Sequence, residues 1–362
     1  MELTPGVYET LISEAINEKL NEKIKNGFHI AKEKIDSADS NSFFANYLAE
    51  IVSNILKDVK RAKSDETITE QIKRINEIFL FIQEKWQVDL SEDMLSIEKD
   101  FLRGIYDTVG YTKEQIEKKA LIHPSSGYRV SNLFTGSNRD LSIDEEMRRD
   151  ILTADSIELM VSFILFTGLR LIIEQLQEFV KRGGHLRIIT TTYMGNSDPK
   201  ALKRLLDLKQ FGNVEIKVSY TSSQERLHAK AYLFNRTNGL NTAFIGSSNL
   251  SKSAFTKGLE WNIRVTSVEN KHIIEKAQAS FESYWNDENF ESIENEEDLR
   301  KFEKAISQER NKKVSSNENT DSIVVRFERK THQIKVLEQL NYERVVLNSY
   351  RNLIIACLLY TS

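Results

Sequence analysis

Leu227-His228-Ala229-Lys230-Ala231-Tyr232-Leu233-Phe234, then Ala243-Phe244-Ile245-Gly246-Ser247-Ser248-Asn249-Leu250-Ser251, then Gly258-Leu259-Glu260-Trp261-Asn262, is the stretch on which the reading of this chain turns. Its apolar runs read as short strands bounded by turn residues. On a strand, residues i and i+2 share a face, so His228 and Lys230 project together. The second run ends at Gly246, where a missing side chain permits a tight turn and close backbone approach by a ligand. Ser247 and Asn249 then offer a hydroxyl and an amide beside the His/Lys pair. An ammonium and neutral donors suit the non-bridging oxygens of a phosphodiester, and an imidazole can serve as nucleophile. Glu260 can accept the imidazole's second N–H and fix its tautomer. Singly, each feature is ordinary: a strand histidine is most often core or surface, and a GSSN is most often a turn. The joint pattern, HxK ahead of GSxN with a glutamate eleven residues past the asparagine, favours a site.

Working outward, strand-like runs occur at 157–163, 186–191, 214–219, 228–235, 242–245 and 261–266. Helical stretches at 169–182, 199–208 and 271–285 separate several of them. Pro199 sits where a first helical turn tolerates it, and Gly183-Gly184 supplies a stop. Alternation of this kind predicts an α/β layered domain over 126–290. That region carries a net charge of +2 against −6 for the remainder. Upstream, Ile68, Ile72, Ile75, Phe79, Ile82 and Trp86 recur at spacings of four and three, with shorter stripes at Phe44, Leu48, Ile51, Ile55 and at Leu11, Ala15. These predict a packed helical domain over 1–125. Downstream, 287–321 holds 11 acidic and 6 basic residues. It reads as a solvated linker or frayed helix, bounded at 291–321. Beyond it Ile323-Val324-Val325 and Leu353-Ile354-Ile355-Ala356 have the hydrophobicity of buried parallel strands. We therefore expect the chain to stop inside a third domain, 322–356, with 357–362 as a non-native tail.

Composition narrows the class. Of 362 residues 40% are hydrophobic, enough for real cores, and 50 Lys+Arg against 54 Asp+Glu exclude a polybasic protein. A mean hydropathy of −0.44 and no long apolar run argue against a transmembrane helix. Met1-Glu2-Leu3-Thr4-Pro5-Gly6 has neither the basic nor the apolar region of a signal peptide. The single cysteine, Cys357, excludes disulfide frameworks and cysteine zinc sites. The expectation is a cytoplasmic protein.

At His228, Lys230, Gly246, Ser247 and Asn249 the chain resembles the phospholipase D superfamily, whose signature is HxK, four residues, Asp, then GSxN. Asn235 stands at the Asp position, which in the family is largely a structural hydrogen-bonding residue. The resemblance spans about 128–290. It implies an α/β/α layered domain whose catalytic residues are His228, Lys230, Asn249 and Glu260, with Lys230, Ser247 and Asn249 on the substrate phosphate and no metal or other cofactor. The phrases Leu133-Phe134-Thr135-Gly136, Val161-Ser162-Phe163-Ile164 and Asp198-Pro199-Lys200-Ala201-Leu202 are similar to bacterial superfamily 2 helicases with an N-terminal phospholipase-D-like nuclease domain. Phe327, Gln333, Leu337, Leu340, Glu343-Arg344 and Arg351–Ala356 resemble the start of a RecA-like, DEAD/DEAH-type helicase domain, in which Gln333 reads adenine. ATP and magnesium would belong to that motor, and no GxxxxGK[ST] phosphate loop occurs in this sequence.

The family's site uses two HxK motifs, and this chain has one; His185-Leu186-Arg187 is HxR. The resemblance therefore implies a homodimer that completes a two-histidine site. Nucleic acid, DNA before RNA, is the expected partner because helicase motors track along it, with Lys200, Lys203, Arg204, Lys252 and Lys257 able to meet its backbone. No basic amphipathic helix or lipid anchor points to a membrane. The reading is a metal-independent nuclease delivered by a helicase, in restriction or defence. A non-catalytic module that grips phosphodiester backbone and, third, a phospholipase stay open beside it. The remaining histidines, His29, His123, His185, His272 and His332, read as structural or surface.

Overall fold

A computed structural model describes residues 3–38, 40–59, 64–106, 108–109, 112–137, 141–220, 227–252 and 260–318, the last seven of these as backbone alone. The expected motor segment 322–356, with Gln333, and the tail 357–362 lie outside the described residues, as does Lys257. The chain divides into two compact units, 1–105 and 106 onward.

In the first unit three amphipathic segments form helices, α1 (Glu14–Lys25), α2 (Ser40–Lys57) and α3 (Ser64–Trp86). Ser13 caps α1 by accepting the Ile16 N–H at 3.3 Å. The periodic stripes are where the sequence puts them, but they do not close into the expected packed core. Phe44, Leu48, Ile51, Ile55, Ile68 and Trp86 are exposed, and the buried apolar residues are Leu3, Val59 and Ile72. A 3.6-residue period specifies a helix face; it says nothing about what covers that face.

The second unit starts earlier than the expected boundary at 126, with α4 (Lys113–Ala120). The turn after α4 is fastened to α5 (Ile143–Thr153) by Glu146, which is buried. Its carboxylate accepts the backbone N–H groups of Ser125 at 2.7 Å and Ser126 at 3.1 Å, which ties 106–125 to this unit. Eight strands form one mixed sheet: β1 (Asn132–Phe134), β2 (Ser156–Val161), β3 (His185–Thr191), β4 (Val214–Ser219), β5 (Lys230–Asn235), β6 (Thr242–Gly246), β7 (Asn262–Thr266) and β8 (Phe290–Ser292). Their order is β1-β7-β6-β5-β2-β3-β4-β8. The β2–β3–β4 pairs run parallel and the others antiparallel.

Side-chain alternation divides the core between the two sheet faces. Tyr232 and Phe234 of β5, with Leu186 and Ile188 of β3, face α5, α7 (Ile173–Lys181), α8 (Pro199–Leu206) and α10 (Glu296–Glu318). Ala231 and Leu233, with Ile189, face α9 (Ser267–Trp285) through Ile274, Phe281 and Trp285. This is the α/β/α layering expected from the sequence. A short helix α6 (Phe166–Leu169) precedes α7, in place of one helix over 169–182. The linker expected at 291–321 is corrected: β8 and α10 occupy most of it, and Leu299, Phe302 and Ile306 of α10 are in the core. Its acidic residues ride on the other faces of the helix.

Two features govern the ends of the sheet. At one end the buried Asp150 carboxylate pairs with Arg236 (2.7 Å) and Arg264 (2.8 Å). At the other, the turn between β3 and α8 holds Met194 at φ 60° and Gly195 at φ 63°. The left-handed region costs a side chain such as that of Met194 about 1–2 kcal/mol, so this turn needs outside support.

Candidate active site

The register of β2, β5, β6 and β7 assembles the motif. Val161 at the end of β2 pairs with Lys230 at the start of β5, and Gly246 at the end of β6 pairs with Asn262 at the start of β7. HxK and GSxN therefore meet at the end of the sheet where the parallel strand β2 finishes, the position where loops are free to hold a ligand. Gly246 is required there by close approach: a Cβ would lie 2.3 Å from the Trp261 carbonyl oxygen and 2.6 Å from Asn262 Oδ1.

The Lys230 ammonium lies against the imidazole, 3.0 Å from His228 Nδ1 and 3.3 Å from Nε2, and donates to the His228 carbonyl at 2.8 Å. Lys230 is buried while His228 is exposed. Burial holds the ammonium below the usual lysine range, and the Glu260 carboxylate partly opposes that shift. Asn249 is fixed by its Oδ1, which accepts the Phe163 N–H at 3.2 Å, so its NH₂ group is the end left to act as donor. The segment carrying it bridges to β2's exit, where Ile164 pairs with Leu250 and the Leu165 N–H donates to the Leu250 carbonyl at 2.9 Å. Gly168 is held against the same backbone; a Cβ there would be 2.4 Å from Leu250 C.

Ser247 is exposed, but its hydroxyl is engaged along the strand, accepting the Trp261 N–H at 3.1 Å and donating to the Trp261 carbonyl at 3.3 Å. It must turn away from Trp261 to donate to a phosphate. Ser248 is buried and structural, its hydroxyl accepting from Asn262 Nδ2 at 2.7 Å and its carbonyl accepting from the Tyr232 hydroxyl at 2.9 Å. The expected orienting contact from Glu260 is not formed: among the described residues Glu260 makes no hydrogen bond to His228, and its effect falls on the Lys230 charge.

Asn235, at the position where the motif expects aspartate, accepts from Gln278 Nε2 of α9 at 2.7 Å. That bond needs an acceptor and no charge. Asn235→Asp is therefore expected to change unfolding free energy by less than about 0.5 kcal/mol in denaturant unfolding. A loss above about 1 kcal/mol would show that the position needs an uncharged acceptor.

Of the other histidines, His185 pairs with Glu215 at 2.7 Å and His123 Nδ1 lies 3.1 Å from the Pro124 carbonyl, both away from the motif. Lys203 lies 3.5 Å from the Glu296 carboxylate, so one of the cations expected to meet a nucleic-acid backbone already has an acidic neighbour. Phe163 was not legible as a site residue. It acts through its backbone N–H across 86 positions of sequence, which leaves no side-chain signature.

Residues 148–285 match the family model described as "Cardiolipin synthase, PLD-like domain". No curated protein matches the chain. Similar solved structures include Nuc, a phospholipase D family member from Salmonella typhimurium, 21% identical, covering 46% of this chain and 100% of that one, with a TM-score of 0.36. NucT from Helicobacter pylori is 18% identical over 42% of this chain and 94% of that one, with a TM-score of 0.32. Phosphatidylserine synthase from Haemophilus influenzae Rd KW20 is 12% identical over 54% and 46%, with a TM-score of 0.35.

Proposed function

We propose that this protein is a metal-independent phosphodiesterase that cleaves nucleic acid, DNA first, as a homodimer. The observation that carries the reading is the Lys230 ammonium lying against the His228 imidazole, with the Asn249 amide fixed on the neighbouring turn. An exposed imidazole can reach phosphorus, while a buried cation and an oriented NH₂ group meet the charge that builds on the non-bridging oxygens.

The reaction has two displacements. A nitrogen of His228 attacks phosphorus and the bond to the leaving oxygen breaks, giving a phosphohistidine. His228 of the partner subunit gives that oxygen a proton. Water then attacks the phosphohistidine, losing a proton to the same partner imidazole, and the phosphorus–nitrogen bond breaks to restore His228. Lys230, Asn249 and, once turned, Ser247 hold the phosphoryl oxygens throughout. Glu260 supports the Lys230 charge, and its place in the motif gives it the orienting role toward His228.

The nucleic-acid assignment is supported by the resemblance of the C-terminal stretch to a helicase motor, and from it follows a role in a helicase–nuclease for restriction or defence. One observation favours a second reading, a module that grips phosphodiester backbone without cleaving it: the absent Glu260–His228 hydrogen bond. Incubating the purified chain with labelled single- and double-stranded DNA in EDTA separates them. Cleavage is expected. Binding without cleavage supports the gripping module, and binding to vesicles with headgroup release in place of DNA cleavage supports phospholipid chemistry.

A further inference from the structure

The helix that replaces the expected linker is tied to the candidate site. α10 lays Leu299, Phe302 and Ile306 into the core and, one turn on, brings Arg310 to the strained Met194-Gly195 turn. Arg310 Nε donates to the Gly195 carbonyl at 2.8 Å and its Nη2 to the Ser197 carbonyl at 3.3 Å. The fit is close: a Cβ on Gly195 would lie 2.7 Å from Arg310 Cγ and 3.0 Å from the Ile306 carbonyl oxygen.

From that turn the contacts continue inward. The buried Ser197 hydroxyl donates to the Thr191 carbonyl at 3.2 Å and accepts the Ile164 N–H at 3.4 Å, while the Asp198 N–H donates to the Ile164 carbonyl at 2.8 Å. Ile164 bridges Leu250, and its neighbour Phe163 supplies the N–H that fixes Asn249. An unbroken series of hydrogen bonds and peptide links thus runs from an exposed arginine on α10 to the amide expected to hold the phosphate.

We propose that Arg310 is a positioning residue for Asn249, and that α10 acts on the site through it. Helix and turn have a built-in reason to move together. Left-handed Met194 is costly alone, and the turn is held at the next residue by Arg310, so a pull on α10 that withdraws Arg310 lets the turn relax and releases Ser197, Ile164 and then Phe163. The effect on activity rests on the phosphodiesterase reading; the positioning of Asn249 does not.

The test uses the full chain with Arg310→Ala and Arg310→Lys. Three quantities are measured: exchange of the Phe163 amide hydrogen, the Asn249 side-chain amide resonance, and kcat and KM on bis(p-nitrophenyl) phosphate. For Arg310→Ala we expect Phe163 exchange and the Asn249 resonance to change while distant core amides keep their protection. We also expect kcat to fall about tenfold with KM within about twofold. Arg310→Lys, which restores a donor, should recover part of both losses. Gly195→Ala, which crowds Arg310 from the other side, should act in the same direction. Unchanged Phe163 exchange in Arg310→Ala, or protection lost evenly across the whole domain, overturns the positioning role. If the wild type cleaves nothing but Phe163 responds to Arg310, the phosphodiesterase reading fails and the positioning role stands. If the wild type cleaves and Arg310→Ala alters Phe163 without altering kcat, the effect on activity is wrong.

Discussion

His228→Ala is expected to lower phosphodiester cleavage in EDTA by at least about 10³-fold, because it removes the attacking atom. DNA affinity is expected to stay within about threefold, since the Lys230 charge remains. The two measurements together decide the matter. A charged groove that only grips backbone would show no cleavage in either protein and keep its affinity, and a misfolded variant would lose both. The homodimer adds a second consequence: each catalytic cycle uses two imidazoles, one neutral and one protonated. The pH profile of kcat should then have an acidic and a basic limb. Adding excess His228→Ala protein to the wild type should also depress its activity as mixed dimers form, each with a single imidazole. Wild-type activity that ignores an excess of the variant, or a profile lacking one limb, would sink the two-copy mechanism while leaving a single-histidine reaction to consider.

The sequence carried the centre of the sheet and little of its edges. Runs such as 186–191 and 230–235 alternate between two buried faces, so β2 to β7 announce themselves. β1 and β8 have three residues each, too few for any period to register. α10 reads as a linker or frayed helix, and its place in the core is missed, for a different reason. Its Leu299, Phe302 and Ile306 are spaced as a helical stripe, but charge crowds the remaining faces, and a window average sees the charge. At the site, HxK and GSxN converge because strand register is local to β5, β6 and β7. The grips of Phe163 on Asn249 and of Arg310 on Gly195 each join a side chain to a backbone group of a distant segment, and the backbone half carries no residue type to read. Glu260 shows the converse limit. Sequence spacing singles it out, while in the structure its carboxylate acts on the Lys230 charge and makes no hydrogen bond to His228.

Asp150→Asn should produce the largest loss of stability, and the charge count at the far end of the sheet says why. Asp150 is fully buried, and its carboxylate takes Arg236 Nη2 at 2.7 Å, Arg264 Nε at 2.8 Å and the Thr242 hydroxyl at 2.9 Å. Arg264 is fully buried too, and Arg236 stacks 4.4 Å over the Tyr128 ring. Two guanidinium groups thus depend on one carboxylate. Replacing it with an amide leaves both cations desolvated and points an NH₂ group at donors, at a cost of about 3–5 kcal/mol. That corresponds to a fall in unfolding midpoint of roughly 10 °C. Arg236→Met should cost less, because the Asp150–Arg264 pair stays balanced and Arg236 Nε has no partner to lose. The pH dependence has a definite sign. Burial alone would raise the Asp150 carboxyl, but Arg264 and Arg236 outweigh it and hold the group below its ordinary 3.8. A depressed carboxylate contributes stability that is complete above the unfolded value and is lost as pH falls through the lower folded one. Denaturant unfolding of wild type and Asp150→Asn should therefore differ by a constant amount near neutrality and converge only below about pH 4. A gap under about 1 kcal/mol at pH 7, or one that stays constant into strong acid, would remove the charge argument and leave packing alone to hold β5, β6, β7 and α5 together.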